Sequence, residues 1–235
     1  MNFQLYLLLI FGGTLLGGLI PLAVIDSKKY ISLAVSFAAG ILIGTALFHL
    51  LPEAIEAVGK STGFLILAGF AVFYIPQKFM LTHPCEEGDC DFHKLGLLAF
   101  IGIGFHSVID GLAVGAAYDL PNISMIAGAV MAHKIPASLA LALLLMAAEF
   151  DKKRIAFFIL LFSLATPAGA ISAKLFISGA ETKWLGYILG FSVGNFLAIA
   201  GSDLLRRLHD HDQKNSLARL ALLIAGCSLS LLNGH

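Results

Sequence analysis

A chain of 235 residues has the length of one or two soluble domains, but 58% hydrophobic and 13% charged residues lie far from soluble composition, where charged residues make up roughly 25%. The 15 Lys+Arg are matched by 15 Asp+Glu and the mean hydropathy is +0.89, which leaves no basic surplus to hold a nucleic acid and no aqueous core for a soluble enzyme. What remains is an all-α integral membrane protein: the apolar residues and 24 Gly suffice for about eight spans of roughly 20 residues each, and no run alternates with the period of two that a membrane barrel needs.

The first span, about residues 3–25, has no basic leader and no small-residue cleavage site, so it reads as a retained helix and not a signal peptide. Its Gly12-Gly13 and Gly17-Gly18 mark faces for close helix contact. Span two, about 31–52, ends near His49 and Glu53, which stand i and i+4 on one face; cation recruitment at an entrance and a polar interfacial cap are equal readings. Span three, about 63–81, leads into the loop 82–94, whose run His83-Pro84-Cys85-Glu86-Glu87-Gly88-Asp89-Cys90-Asp91-Phe92-His93 holds two His, two Cys and four acids. Metal capture by His83, Cys85, Cys90 and His93 stands there beside a plain solvated linker, because the spacing matches no closed zinc-finger pattern. With Cys227 these are the only cysteines, too few for a disulfide framework. Span four, about 95–117, carries His106 and Asp110; span five, about 123–147, carries His133 and Lys134 just ahead of Pro136. Span six, about 155–178, and span seven, about 184–205, follow, with Asp203 at the inner mouth and His209-Asp210-His211-Asp212 beyond it. Span eight, about 216–232, completes a single polytopic domain over 1–235.

Alternate connections differ sharply in charge. One side holds Lys28, Lys29, Lys78, Lys94, Lys152, Lys153 and Arg154, with four more cations around span eight, while the other has Lys60 and Lys183, with Lys174 nearby. The positive-inside rule then puts both termini outside and the 82–94 loop in the cytoplasm. Gly40, Gly44 and Glu53 also map onto Gly190, Gly194 and Asp203 at one offset of 150 positions. Span two and span seven run in opposite directions, so the expected architecture is an inverted repeat in a three-plus-two-plus-three arrangement.

The chemistry concentrates in spans four and five. His106 and Asp110 share a helix face near mid-membrane depth, where a carboxylate costs about 2.5–3.5 kcal/mol and needs a partner or a water-filled path. His133 and Lys134 lie at a similar depth in the next span. Imidazole nitrogen and carboxylate oxygen suit Zn²⁺ and, with no thiolate in the set, also admit Fe²⁺, Mn²⁺, Co²⁺ or Cd²⁺. A bound divalent ion would satisfy His106, Asp110 and His133 together. Lys134 cannot ligate a cation; it serves as the ion partner of Asp110 or occupies an adjoining cation position.

Three motifs resemble the ZIP (Zrt/Irt-like) metal-ion transporter family. His106-Ser107-Val108-Ile109-Asp110-Gly111-Leu112-Ala113-Val114-Gly115 is similar to its fourth-helix signature, His133-Lys134-Ile135-Pro136-Ala137-Ser138 to its fifth, and His49-Leu50-Leu51-Pro52-Glu53 to the end of its second. The resemblance implies eight helices, import of Zn²⁺ or a similar ion toward the cytoplasm, and a primary metal site at His106, Asp110 and His133, with Asp110 where Glu is common. Members with two adjacent metals have Asn, an acid, Glu and Glu where this chain has Ser107, Lys134, Ala137 and Thr166, so the resemblance implies a dismantled second site, with Ser138 beside it on the transport pathway.

The expected activity is therefore transport of a divalent cation by alternating access through a mononuclear site, with the cation as cargo, no prosthetic group and no catalytic residue. The expected partners are that ion and the lipid bilayer, with a homodimer as a candidate assembly and the plasma membrane as the location. A zinc-dependent intramembrane hydrolase and a proton-coupled carrier of an organic solute stand as alternatives. The His-Glu-x-x-His run of metalloproteases does not occur.

Overall fold

The computed structural model describes residues 2–25, 28–81, 90–118, 123–176, 183–208 and 216–232. Among these the elements are helical: α1 (Phe3–Val24), α2 (Lys28–Thr45), a π-helical turn (Ala46–Leu50), α3 (Leu51–Val58), α4 (Ser61–Leu81), α5 (Cys90–Ala116), α6 (Ile123–Ala147), α7 (Lys152–Phe176), α8 (Lys183–Leu208) and α9 (Ser216–Leu232). Five stretches are long and apolar enough to cross a bilayer, and Ser61–Pro76, Gly186–Gly201 and Ser216–Leu231 are shorter apolar helices. Helices satisfy every interior backbone group within the segment, which lipid demands. The protein is an α-helical integral membrane protein.

Several helices outrun the apolar windows. α5 begins at Cys90, so 90–94, expected as loop, are helical, and α2 and α7 likewise start near Lys28 and Lys152. Hydropathy registers only the part that needs lipid, whereas polar turns carry the same helix on into the interface. Span two departs in another way: Pro52 offers no N–H and crowds the preceding turn, and there the Leu51 N–H reaches back five residues to the Ala46 carbonyl. The helix then continues to Val58 and turns at Gly59, whose φ of 56° suits glycine.

Packing falls into two groups. α1, α5, α6 and α7 contact one another, with α5 against α7 and α1 against α6 the most extensive pairs; α2 packs on α9 and α4 on α8, and α2 joins α8. Glycines set the closeness of these pairs. Gly226 of α9 abuts the Phe37 carbonyl and Gly40 of α2 the Leu223 carbonyl; Gly69 meets Phe191 and Gly194 meets Ile66 across α4 and α8; Gly111 meets Thr166 and Gly169 meets Val108 across α5 and α7. In each case an added Cβ would collide with backbone, so small residues here do the work that hydrophobic collapse cannot do in lipid. Between the groups run α2 against α6 and α5 against α8. At one end of the first group, Lys174 of α7 sits over two rings, 4.5 Å from the Phe3 centroid and 4.3 Å from that of Tyr118, which are themselves edge to face at 4.7 Å.

Candidate metal site

α5 and α6 bring His106, Asp110 and His133 together. His106 and Asp110 are one turn apart on α5, with Nε2 3.3 Å from Oδ2. From α6, His133 Nε2 lies 3.1 Å from the same oxygen. One ligand atom from each of the three residues can be chosen so that all lie within 4.8 Å of one another. Tetrahedral zinc with bonds near 2.1 Å sets its ligands about 3.4 Å apart, and the two edges to Asp110 Oδ2 are already near that length. His106 is fully buried and Asp110 5% exposed, while the His133 side chain is 11% exposed and marks the open side.

Lys134 follows His133 on α6 and is wholly buried. Its Nζ lies 2.5 Å from Asp110 Oδ2 and 5.4 Å from the centre of the Phe162 ring on α7. The expected ion partner of Asp110 is therefore in place, with an aromatic face completing the cation's surroundings. Asp110 Oδ2 thus faces an ammonium and two imidazoles at once, and an incoming metal must share that carboxylate with Lys134.

The other positions singled out in the sequence sort by geometry. Ser107 and Thr166 bond to one another: the Ser107 hydroxyl lies 2.9 Å from Thr166 Oγ1, which donates to the Ser107 carbonyl at 3.0 Å. They form a buried polar link between α5 and α7. Ala137 is buried, and Ser138 is buried with no hydrogen-bond partner for its hydroxyl among the described residues. His49, carried on the π turn, sets its Nε2 2.7 Å from the Ser230 carbonyl of α9, and its ring is 6.3 Å from that of His133. It is both an anchored residue and a neighbour of the His106, Asp110 and His133 cluster. Glu53 lies one turn beyond on α3 and is exposed. Asp203 lies on α8 with its side chain outside the described residues; Cys90 and His93 lie on α5 in the same situation, and His83, Cys85 and His209-Asp210-His211-Asp212 fall outside them entirely.

Sequence reasoning did not find Phe196, whose ring meets that of His106 edge-on at 4.8 Å, or the buried Ser192 and Asn195 beside it on α8. Asn195 was visible as an amide inside an otherwise apolar run. Phe196 had no signal, since a ring on an apolar helix is ordinary.

The family model described as ZIP zinc transporter matches residues 4–93 and 86–234. Zinc transporter ZIP9-B of Xenopus laevis is 25% identical over 280 residues, covering 94% of this chain and 92% of its own. Zinc transporter ZIP1 of Homo sapiens is 25% identical over 278 residues, covering 92% and 85%. Zinc transporter ZIP9 of Macaca fascicularis is 32% identical over 151 residues, 56% of this chain and 64% of the relative. With the motifs, the helices and these matches in agreement, the chain belongs to the ZIP zinc transporter family, whose members are transporters and not enzymes.

Proposed function

We propose that the protein carries divalent cations, Zn²⁺ foremost, across the plasma membrane toward the cytoplasm, one ion at a time, through a site made by His106, Asp110 and His133. The observation that carries this reading is the convergence of three buried N and O donors between α5 and α6, with an ammonium fixed on the same carboxylate. The donors supply a zinc-like set, and Lys134 supplies the positive charge that a neighbouring second metal would otherwise bring. Fe²⁺, Mn²⁺, Co²⁺ and Cd²⁺ are candidate cargo on the same donor chemistry. His49 and Glu53 lead toward the exposed side of His133 and form the entrance; Asp203 lies at the exit, and the 82–94 segment receives the ion in the cytoplasm.

The pairing of helices supports alternating access by a single domain of eight spans in a three-plus-two-plus-three inverted repeat, and the distribution of Lys and Arg between alternate connections supports both termini outside. An operation that superposes span one on six, two on seven, three on eight and four on five turns the α2–α9 contact into α8–α4 and the α1–α6 contact into α7–α5. These are the extensive pairs. Gly40 and Gly44 face α9, and their counterparts Gly190 and Gly194 face α4. Because the donors all belong to the α1, α5, α6 and α7 group, that group can move against α2 and α8 without breaking the site.

Purified protein in proteoliposomes tests the reading, with Zn²⁺, Fe²⁺, Mn²⁺, Co²⁺ and Cd²⁺ compared under a fixed gradient and no organic solute present. Saturable Zn²⁺ entry and about one intramembrane metal per protomer are expected. Uptake no faster than in empty vesicles overturns the transport reading, and two tightly bound intramembrane metals overturn the mononuclear one.

A further inference from the structure

The turn that joins α3 to α4 shapes a groove that the candidate metal site does not use. Leu51, Ile55 and Gly59 stand at i, i+4 and i+8 along α3 and its C-cap, and Gly63 and Ile66, one turn apart on α4, complete the lining with Lys60 at the turn. The space between them is an open cleft of about 500 Å³, within the size of small-molecule sites, which run from about 300 to 1,000 Å³. Two glycines hollow it. A Cβ at either Gly59 or Gly63 would meet no atom within 4 Å, so no neighbouring side chain fills the space they leave. Thr62 clasps the two helix ends: it is buried, and its hydroxyl donates to the Ala54 carbonyl of α3 at 3.1 Å and to the Gly59 carbonyl at 2.8 Å. The groove is therefore preformed, and the Thr62 hydroxyl is already committed within it.

Its charge is placed at one end. Lys60 lies between spans two and three, where the chain leaves the apolar layer; it is exposed and makes no ion pair among the described residues, not even with Glu56 one turn earlier. Ile55, Phe64 and Leu67 beside the groove are exposed as well, so this face meets the acyl layer of the bilayer. We propose that the groove binds an anionic phospholipid of the surrounding membrane, with one acyl chain between α3 and α4 and the headgroup phosphate on the Lys60 ammonium. The lysine stem covers apolar rim while its head reaches the polar layer. A cation set beside a cleft between membrane helices is the chemistry that selects an anionic headgroup. A second copy of this chain fits the groove less well, because a two-fold contact centred there would bring Lys60 against its own copy, like charge against like. A flexible chain fills the hollow at Gly59 and Gly63 without that repulsion.

The test takes the full-length protein in detergent, strips it of lipid and titrates it with phosphatidylglycerol or phosphatidylcholine, counting bound lipid by native mass spectrometry. Wild type is expected to hold one tight phosphatidylglycerol per protomer, with Kd about fivefold or more below that for phosphatidylcholine. Lys60→Gln should bring the two lipids within about twofold of one another while leaving phosphatidylcholine binding as it was. Gly63→Leu puts a side chain into the cleft and should weaken both lipids about tenfold or more. Its thermal midpoint in lipid-free detergent should be held or raised, because leucine favours the helix over glycine and its Cβ meets no atom there. Equal affinity of wild type for the two lipids overturns the proposal, as does a preference that survives Lys60→Gln or wild-type lipid binding by Gly63→Leu. A lipid-free dimer that Gly63→Leu converts to monomer assigns the groove to a second copy and overturns it too. No metal is present in any arm, so these failures leave the transport reading standing, and absence of Zn²⁺ uptake leaves the lipid site standing.

Discussion

Replacing Lys134 with Met should tighten metal binding. The variant keeps most of the buried stem and removes the ammonium that sits 2.5 Å from Asp110 Oδ2. A zinc ion bonded to that oxygen at about 2.1 Å stands about 4 Å from Nζ. A divalent and a monovalent charge at that separation repel by about 8 kcal/mol at an effective dielectric constant near 20. Relaxation and water at the exposed edge of His133 reduce this; if one third survives, about 2.7 kcal/mol, affinity rises about a hundredfold. The other half of the cycle acts in the same direction, because without metal the variant leaves Asp110 buried without its cation, a loss of about 3–5 kcal/mol in comparable pairs. Titration of detergent-solubilised protein with Zn²⁺, alongside thermal unfolding with and without metal, reads both effects. The variant should unfold earlier than wild type in chelator, recover with Zn²⁺, and release its ion more slowly, so that maximal uptake falls while affinity climbs. Unchanged or weaker Zn²⁺ affinity in a folded Lys134→Met protein would refute the reasoning and remove Lys134 from the electrostatics of the site.

Two further outcomes are expected. Replacing His106 or Asp110 with Ala should abolish saturable uptake at matched expression while the helical circular dichroism persists, since two donors remain of three; uptake at the wild-type level in both variants would sink the ligand assignment. Lys134→Asp combined with Ala137→Glu removes the ammonium and adds carboxylate oxygens beside Asp110, so metal analysis should rise from about one ion per protomer toward two; a stoichiometry that stays at one would show that charge alone does not exclude the second ion.

The clustering of His106, Asp110 and His133 was legible because they are ionisable residues in runs that should contain none, and because i, i+4 spacing fixes the face of two of them before any tertiary contact is known. The partnership of Lys134 with Asp110 was legible for the same reason. Other features depend on contacts that no local pattern encodes. The Ser107–Thr166 link joins residues of ordinary polarity on α5 and α7, and only the close approach allowed by Gly111 and Gly169 lets the two hydroxyls meet. The ring of Phe162 beneath the Lys134 ammonium is indistinguishable in sequence from any lipid-facing phenylalanine. His49 stands between these cases. Its spacing from Glu53 was plain, but the extra residue in the turn ahead of Pro52 decides which way it faces, and that follows from backbone hydrogen bonding and not from periodicity.

The aromatic seat of Lys174 bears on how motion in this protein can be watched. Phe3 opens α1, Tyr118 follows the end of α5 and Lys174 lies in the last turn of α7, so one cation links three of the four helices that carry or flank His106, Asp110 and His133. A spectroscopic label placed beside this seat is therefore tied to the helices that hold His106, Asp110 and His133. Paired with a second label on the α2–α9 unit, it would turn the proposed passage between two access states into a change of distance, read at a point remote from His106, Asp110 and His133 and free of the substitutions that would disturb them.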